Sequence, residues 1–175
     1  MTVGGGRDHA HGSAPPVTAL APHLSWAEVL RRSGWDALDD VPPSPRASMI
    51  ATAREVWTPL RRAWAGPLTV VSGLRSPRAN RAADGARRSQ HMDGMALDLR
   101  PEDPAFCGDL YDLALLLMGR GEIPRGWLCL YRYADSALRP GRLRFVHIDR
   151  RGFRPTGGLH IDGRRTSLRR DRLDA

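Results

Sequence analysis

The stretch Ser89-Gln90-His91-Met92-Asp93-Gly94-Met95-Ala96-Leu97-Asp98 holds the most chemically suggestive residues of the chain. It sets an imidazole at the end of a polar loop and a carboxylate seven residues on, inside an apolar run that reads as a strand. Gly94 between them lets the backbone turn sharply, so the loop can fold back and aim both side chains at one point. One imidazole and one carboxylate suit a borderline cation such as zinc. A catalytic zinc usually takes three protein ligands and a water, and His147, in the middle of a late alternating run, is the natural third. A lone loop histidine, however, is more often a polar surface residue. Aspartate inside a β-run is less usual, because strands disfavour it. His147 and Asp149 share one face of an apolar strand and would need polar partners there. On residue chemistry alone, a shared metal and a set of unconnected polar residues both stay open.

The elements that must position these side chains are also marked. Ser25, with Glu28 three residues later, reads as a capping box opening a helix over WAEVLRRSG, with Trp26, Val29 and Leu30 on one face and Gly34 as its stop. DDVPPSPRA (39–47) reads as a loop. Met49, Ile50, Ala53, Val56, Trp57, Leu60 and Trp64 then recur at helical spacing, which predicts a helix from about Arg46 to Ala65 that Pro59 kinks or splits. PLTVVSGL (67–74) and MALDLRP (95–101) read as strands, and the polar stretch 75–90 as a loop with room for a helical turn. FCGDLYDLALLLMGRG (106–121) is an amphipathic helix ending at Gly119 or Gly121. WLCLYRY (127–133) and RLRFVHIDR (142–150) alternate as strands; in the second, Leu143, Phe145, His147 and Asp149 point one way and Arg144, Val146 and Ile148 the other. Helices and strands are partly segregated, which predicts an α+β fold with helices packed on a small, mainly antiparallel sheet.

At 175 residues, 41% of them apolar, the chain can bury a core in one domain without disulfides. We expect a flexible tail over 1–22, a domain over 23–161 and a basic, solvated tail over 162–175. His9 and His11 fall in the first tail, where disorder outweighs weak metal binding. Cys107 and Cys129 lack zinc-finger spacing and sit among apolar residues, so buried thiols are expected, with a disulfide as the alternative. All 27 basic residues are Arg, and the net charge of +8 favours anionic partners without choosing among nucleic acid, membranes and wall polymers. No helix-turn-helix, RRM or zinc-finger pattern accompanies the arginines, so nucleic acid is not an expected partner. No run approaches the roughly 18 apolar residues of a membrane span, and the N-terminus shows no apolar signal segment. A monomer is expected.

Three blocks together resemble the motif set of the M15 zinc peptidases, the D-alanyl-D-alanine carboxypeptidases and related murein endopeptidases. They are SGLRSPRAN (72–80), SQHMDGMALDLR (89–100) and FVHIDRRG (145–152). The family pattern is S-G-x-R-S with a following N, then S-x-H-x-x-G-x-A-x-D, then a late strand with a ligand His; all three occur here in order. A subgroup whose last strand reads F-V-H-V-D, after a strand carrying a Gly and a Tyr, is matched by Gly126, Tyr131 and Phe145 to Asp149. The similarity spans roughly residues 24–155.

The resemblance implies a Hedgehog/D-Ala-D-Ala-peptidase-like fold and Zn2+ held by His91, Asp98 and His147. Arg75 matches the family arginine that holds substrate and stabilises a developing oxyanion, a task suited to a permanently charged, forked guanidinium; a loop-locking arginine is the alternative. Ser89 would order its loop. Several members place an acidic residue three before the last ligand His, where this chain has Arg144, which cannot accept a proton. Asp149 matches the subgroup's H-x-D and is expected to act as the general base, or else to support a ligand. His160 is a rival third ligand or acid/base group. The implied function is hydrolysis of peptide bonds in peptidoglycan stem peptides or cross-links, by carboxypeptidase or endopeptidase action. The implied setting is the cell wall, reached after cytoplasmic synthesis as for a phage lysin or virion-associated lysin, or by export through a route the sequence does not reveal. Arg144 favours a competing expectation: a non-catalytic metal-binding module on the same fold, such as a virion component.

Overall fold

The computed structural model describes residues 19–136, 139–151, 157–161 and 164–166, with side chains over 19–131 and 144–151. Two short paired strands, β1 (Ala19–Ala21) and β2 (Leu24–Ser25), come first. The fold therefore reaches back into the segment expected to be a tail; residues 1–18, with His9 and His11, lie outside the described residues.

α1 (Trp26–Leu30) opens with the expected capping box: Ser25 Oγ accepts the Glu28 N–H at 3.3 Å, and the Glu28 carboxylate accepts the Ser25 N–H at 2.8 Å. It stops at Leu30, before Gly34. The Ser33 hydroxyl takes the Trp35 N–H at 3.0 Å, a local bond that competes with further helix, and the chain turns through Arg32 (φ 64°) and Gly34 (φ 79°).

The predicted long helix is a continuous arm of α2 (Pro43–Thr52), a π turn (Ala53–Trp57) and α3 (Thr58–Ala63). It begins earlier than expected because Pro43 occupies the first helical position, where a missing N–H costs nothing. Pro59 does not break the arm. The turn before it widens, and the Thr58 N–H and hydroxyl both reach the Ala53 carbonyl, the hydroxyl at 2.9 Å.

β3 (Leu68–Ser72), α4 (Pro77–Ala82), β4 (Ala96–Pro101) and α5 (Cys107–Gly119) follow, all at the expected places. β5 (Leu128–Ser136), β6 (Arg139–Asp149), β7 (Gly157–Ile161) and β8 (Arg164–Thr166) complete a six-stranded sheet in the order β3-β4-β6-β5-β7-β8. Every neighbouring pair is antiparallel except β5–β7. β8 lies inside the segment expected to be the basic tail, whose last residues, 167–175, lie outside the described ones.

This is the α+β architecture that the segregated pattern predicts. One face of the sheet, with Leu97, Leu99, Leu128, Val146 and Ile148, packs against the arm (Met49, Trp57, Leu60) and α5 (Leu110, Ala114, Leu117). Cys107 and Cys129 are both buried and form no disulfide. No helix among the described residues is long and apolar enough to cross a membrane.

Candidate metal centre

The other face of the sheet carries the polar row. Asp98 in β4 lies directly across from His147 in β6, so their side chains stand side by side. On the far side of Asp98 the partner is Ser72 in β3, and only because β3 bulges: Val70 pairs with Leu99 and Ser72 with Asp98, which leaves Val71 as the extra residue. Without that bulge, Val71 would sit opposite the aspartate.

His91 comes from the loop before β4. That loop is zipped to the one after β3, where the Arg75 N–H donates to the His91 carbonyl at 3.0 Å, and it is closed by the Met95 N–H donating to Gln90 O at 2.9 Å. Met92 N–H donates to the Ser89 carbonyl, the part Ser89 plays in the turn. Gly94 sits at φ 68°, and a β-carbon there would come within 2.2 Å of the Pro45 carbonyl. The turn can therefore press onto α2 only with glycine at this point.

Three donor atoms converge. His91 Nε2 lies 3.2 Å from Asp98 Oδ1 and 3.2 Å from His147 Nδ1, and His147 Nδ1 lies 2.8 Å from Asp98 Oδ1. A tetrahedral ion with bonds of about 2.0–2.1 Å needs donors about 3.3 Å apart, so the spacing and the mixed N/O donor set both fit zinc. Among the described residues, these three form the group of His, Cys, Asp or Glu side chains able to share a cation.

The supports behind each donor are also present. His91 Nδ1 lies 2.6 Å from the Gly73 carbonyl, which can only accept; Nδ1 therefore carries the proton and Nε2 presents its lone pair. Arg75 donates from Nη2 to Asp98 Oδ2 at 2.9 Å and from Nε to Ser72 Oγ at 2.8 Å, which leaves Oδ1 for the cluster. Asp149 lies on the opposite side of His147 from the donors. Its Oδ2 is 3.7 Å from His147 Nε2 and ion-paired with Arg151, while its Oδ1 accepts the Trp127 N–H at 2.8 Å. It is fully buried.

Electrostatics follow from this packing. Burial pushes the His91 pKa down, so the ring is neutral. Burial alone would raise Asp98, but His91 and His147 beside it hold it well below the usual carboxylate range. Burial also works against a charged His147, yet Asp149 and Asp98 on either side outweigh it and lift its pKa to about 9. Asp149, despite burial, is held down to about 2 by His147, Arg151 and the Trp127 N–H.

The cluster opens onto a cleft of about 960 Å³. One wall is the loop after α4, held by buried Asn80, whose Nδ2 donates to the Ala86 carbonyl at 3.0 Å. The other wall is Trp127, Tyr131 and Phe145. Arg144 departs from its expected face. Tyr131 pairs with Phe145 but Arg132 with Leu143, so Arg144 is the extra residue of a second bulge, and it lines the cleft. His160, in β7, pairs with Tyr131 of β5, which puts it two strands from β6 and so about 10 Å away; its side chain lies outside those described.

Sequence reasoning missed the Gly73 carbonyl, because residue types say nothing of backbone acceptors. It also missed Arg151 behind Asp149 and Trp127 in the cleft wall, while Tyr131 and Phe145 entered only as matches to the family motif, with no part in the cleft assigned to them.

A six-stranded sheet with helices on one face and a two-histidine, one-aspartate cluster on the other has the form of a metallopeptidase domain. The sequence model of the Peptidase M15 family matches residues 22–113, more than half of the chain, and the protein belongs to that family. No curated protein matches the chain. The matched segment contains Arg75, His91 and Asp98; His147 and Asp149 lie beyond it and are brought to the site by the β4–β6 pairing.

Proposed function

We propose that this chain is a zinc-dependent peptidase acting on peptidoglycan stem peptides or cross-links, with His91, Asp98 and His147 as the metal ligands. The observation that carries the reading is the convergence of His91 Nε2, Asp98 Oδ1 and His147 Nδ1 within 3.2 Å of one another, at the floor of an open cleft. Zinc held there would supply a Lewis acid that polarises a scissile carbonyl and lowers the pKa of a water ligand to about 7.

The surrounding residues do the positioning. Gly73 O fixes the tautomer of His91. Arg75 neutralises the buried Asp98 and turns one oxygen to the cluster; it also lines the cleft, where a guanidinium suits a substrate carbonyl or an oxyanion. Asp149 supports this function best as the residue that holds His147 from behind, the alternative left open by its H-x-D position, since its oxygens are closed off from the cleft by His147 and Arg151. Trp127, Tyr131 and Phe145 give a bound peptide an apolar wall.

Digestion of purified sacculi, with and without chelator, tests the proposal. Soluble peptides whose release EDTA abolishes and zinc restores are the expected result, with mass spectrometry of the fragments naming the bond and separating carboxypeptidase from endopeptidase action. One equivalent of zinc without any released peptide would instead identify a metal-binding module, the reading that Arg144 favours. Tight zinc retention by a His91→Ala protein that still cleaves would show the site to be elsewhere.

A further inference from the structure

We propose that Thr52 is a positioning residue for the metal centre: through one buried hydroxyl, with Arg150 as the cation behind it, it sets the distance of the His91 turn from His147. The inference rests on the metal reading above and concerns residues outside the ligand set.

Pro45, Met49 and Thr52 recur at i, i+4 and i+7 and so share one face of α2. That face meets the His91 turn, since a β-carbon on Gly94 would strike the Pro45 carbonyl and come within 3.0 Å of Met49 N. Met49 and Thr52 are both fully buried. An apolar side chain would suit such a contact, and a hydroxyl is costly there unless it is hydrogen-bonded. The usual partner of a helical threonine is the carbonyl four residues back, and Ser48 O lies 2.9 Å from Thr52 Oγ1. Arg150 Nη2 already donates to that carbonyl at 3.2 Å, however, and the hydroxyl has one proton for two carbonyls. Gly94 O, nearer at 2.8 Å, is the better acceptor.

Thr52 thus stands in the middle of a directed chain, from Arg150 Nε at 2.9 Å through the hydroxyl to Gly94 O, and a charged donor at its head strengthens both bonds. Glu55, in the π turn, holds the guanidinium from another side, with Oε2 3.6 Å from Nη1. The Arg150 backbone reaches the same turn by a second route, its N–H donating to Met95 O at 3.2 Å. Arg150 comes three residues after His147, just past the end of β6. Two consecutive carbonyls of the His91 turn, Gly94 and Met95, are therefore tied to the segment that carries His147. His91 Nε2 and His147 Nδ1 stand 3.2 Å apart, and a tetrahedral ion needs donors about 3.3 Å apart, so a turn that drifted outward would spoil the site.

Metal binding and loop motion, rather than turnover, test this. Thr52→Val keeps the shape and removes the hydroxyl, whereas Thr52→Ser keeps the hydroxyl. In competition with a chromophoric chelator, Thr52→Val should bind zinc about 10-fold more weakly than the wild type, and Thr52→Ser should come within about threefold of it. The visible bands of Co2+ bound in place of zinc should change in Thr52→Val and return in Thr52→Ser. In the metal-free proteins, hydrogen exchange at the Met92 and Met95 amides, which close the turn, should quicken in Thr52→Val while the amides of β4 and α5 keep their rates. If Thr52→Val does not fold, Arg150→Met, which empties the head of the chain at a partly exposed position, carries the same expectations. Three results overturn the proposal: unchanged zinc affinity in Thr52→Val, equal losses in Thr52→Val and Thr52→Ser, or exchange quickened evenly over the whole domain, as a threonine that only stabilises the fold would give. A wild type that takes up no zinc removes the metal reading, and the proposal with it, whatever the variants do.

Discussion

Which nitrogen each imidazole presents decides the chemistry at the level of single residues. His91 turns Nε2 to Asp98 while Gly73 O faces its Nδ1, and His147 turns Nδ1 to Asp98 while Asp149 stands 3.7 Å from its Nε2. Replacing Asp149 by Asn should therefore weaken zinc binding about 10- to 100-fold without removing a ligand, measurable by competition with a chromophoric chelator. The raised pKa of His147 gives a second expectation. Its apo ring is protonated below about 9, and a metal needs the Nδ1 lone pair, so zinc uptake at pH 7 should release about one proton, as read in weakly buffered solution. Apparent affinity should rise with pH up to about 9 and level off above it; a pH-independent affinity between 7 and 9 would show that the proton is not where the apo geometry puts it. Residue types and spacing made His91, Asp98 and His147 legible as candidates. They left Asp149 ambiguous, because alternation puts it on the face of His147 without saying which side of the ring it meets.

Elements place these residues through irregularities more than through their regular parts. The extra residue at Val71 brings Ser72, the anchor of Arg75, opposite Asp98, and the extra residue at Arg144 turns that side chain into the cleft. Neither bulge is visible in an alternating pattern, because an inserted residue looks like any other strand residue until its partner strand is known. The π turn before Pro59 was hidden for a related reason: the proline marks a conflict, while its resolution depends on Thr58 reaching Ala53 O. The capping box at Ser25 and Glu28, by contrast, is local and was read correctly. The tight turn at Gly94 yields an expectation at this scale. Gly94→Ala meets both a positive φ and the Pro45 carbonyl at 2.2 Å, so it should destabilise the fold by about 3 kcal/mol in urea unfolding and loosen zinc by displacing the His91 loop.

Over the whole molecule, the centre ties together parts far apart in the chain: the loop at His91, the strand at Asp98 and the late strand at His147. A ligand that binds only when these are assembled stabilises the assembly. Zinc at about a thousand times its dissociation constant should add about 4 kcal/mol, seen as a rise in Tm that EDTA reverses and that His91→Ala abolishes. An unchanged Tm would mean that the three donors do not share an ion. Arg150 reinforces the same linkage, with Nε donating to Thr52 Oγ1 at 2.9 Å and the Thr52 hydroxyl reaching Gly94 O at 2.8 Å, which joins the residue just after β6 to α2 and the His91 loop.

By itself the sequence determined the α+β class and the order of the central helices and strands, which follow from local periodicity and turn chemistry; it missed β1, β2, β7 and β8, and His91, Asp98 and His147 stood out as candidates through residue type together with the resemblance to a family motif. Tertiary structure alone decided that the donors meet, that Asp149 stands behind His147, and that Arg144 faces the cleft. Those outcomes depend on strand register, which is set by pairing between segments 49 residues apart in the case of Asp98 and His147, and no local pattern specifies which residues of two distant strands will lie opposite each other.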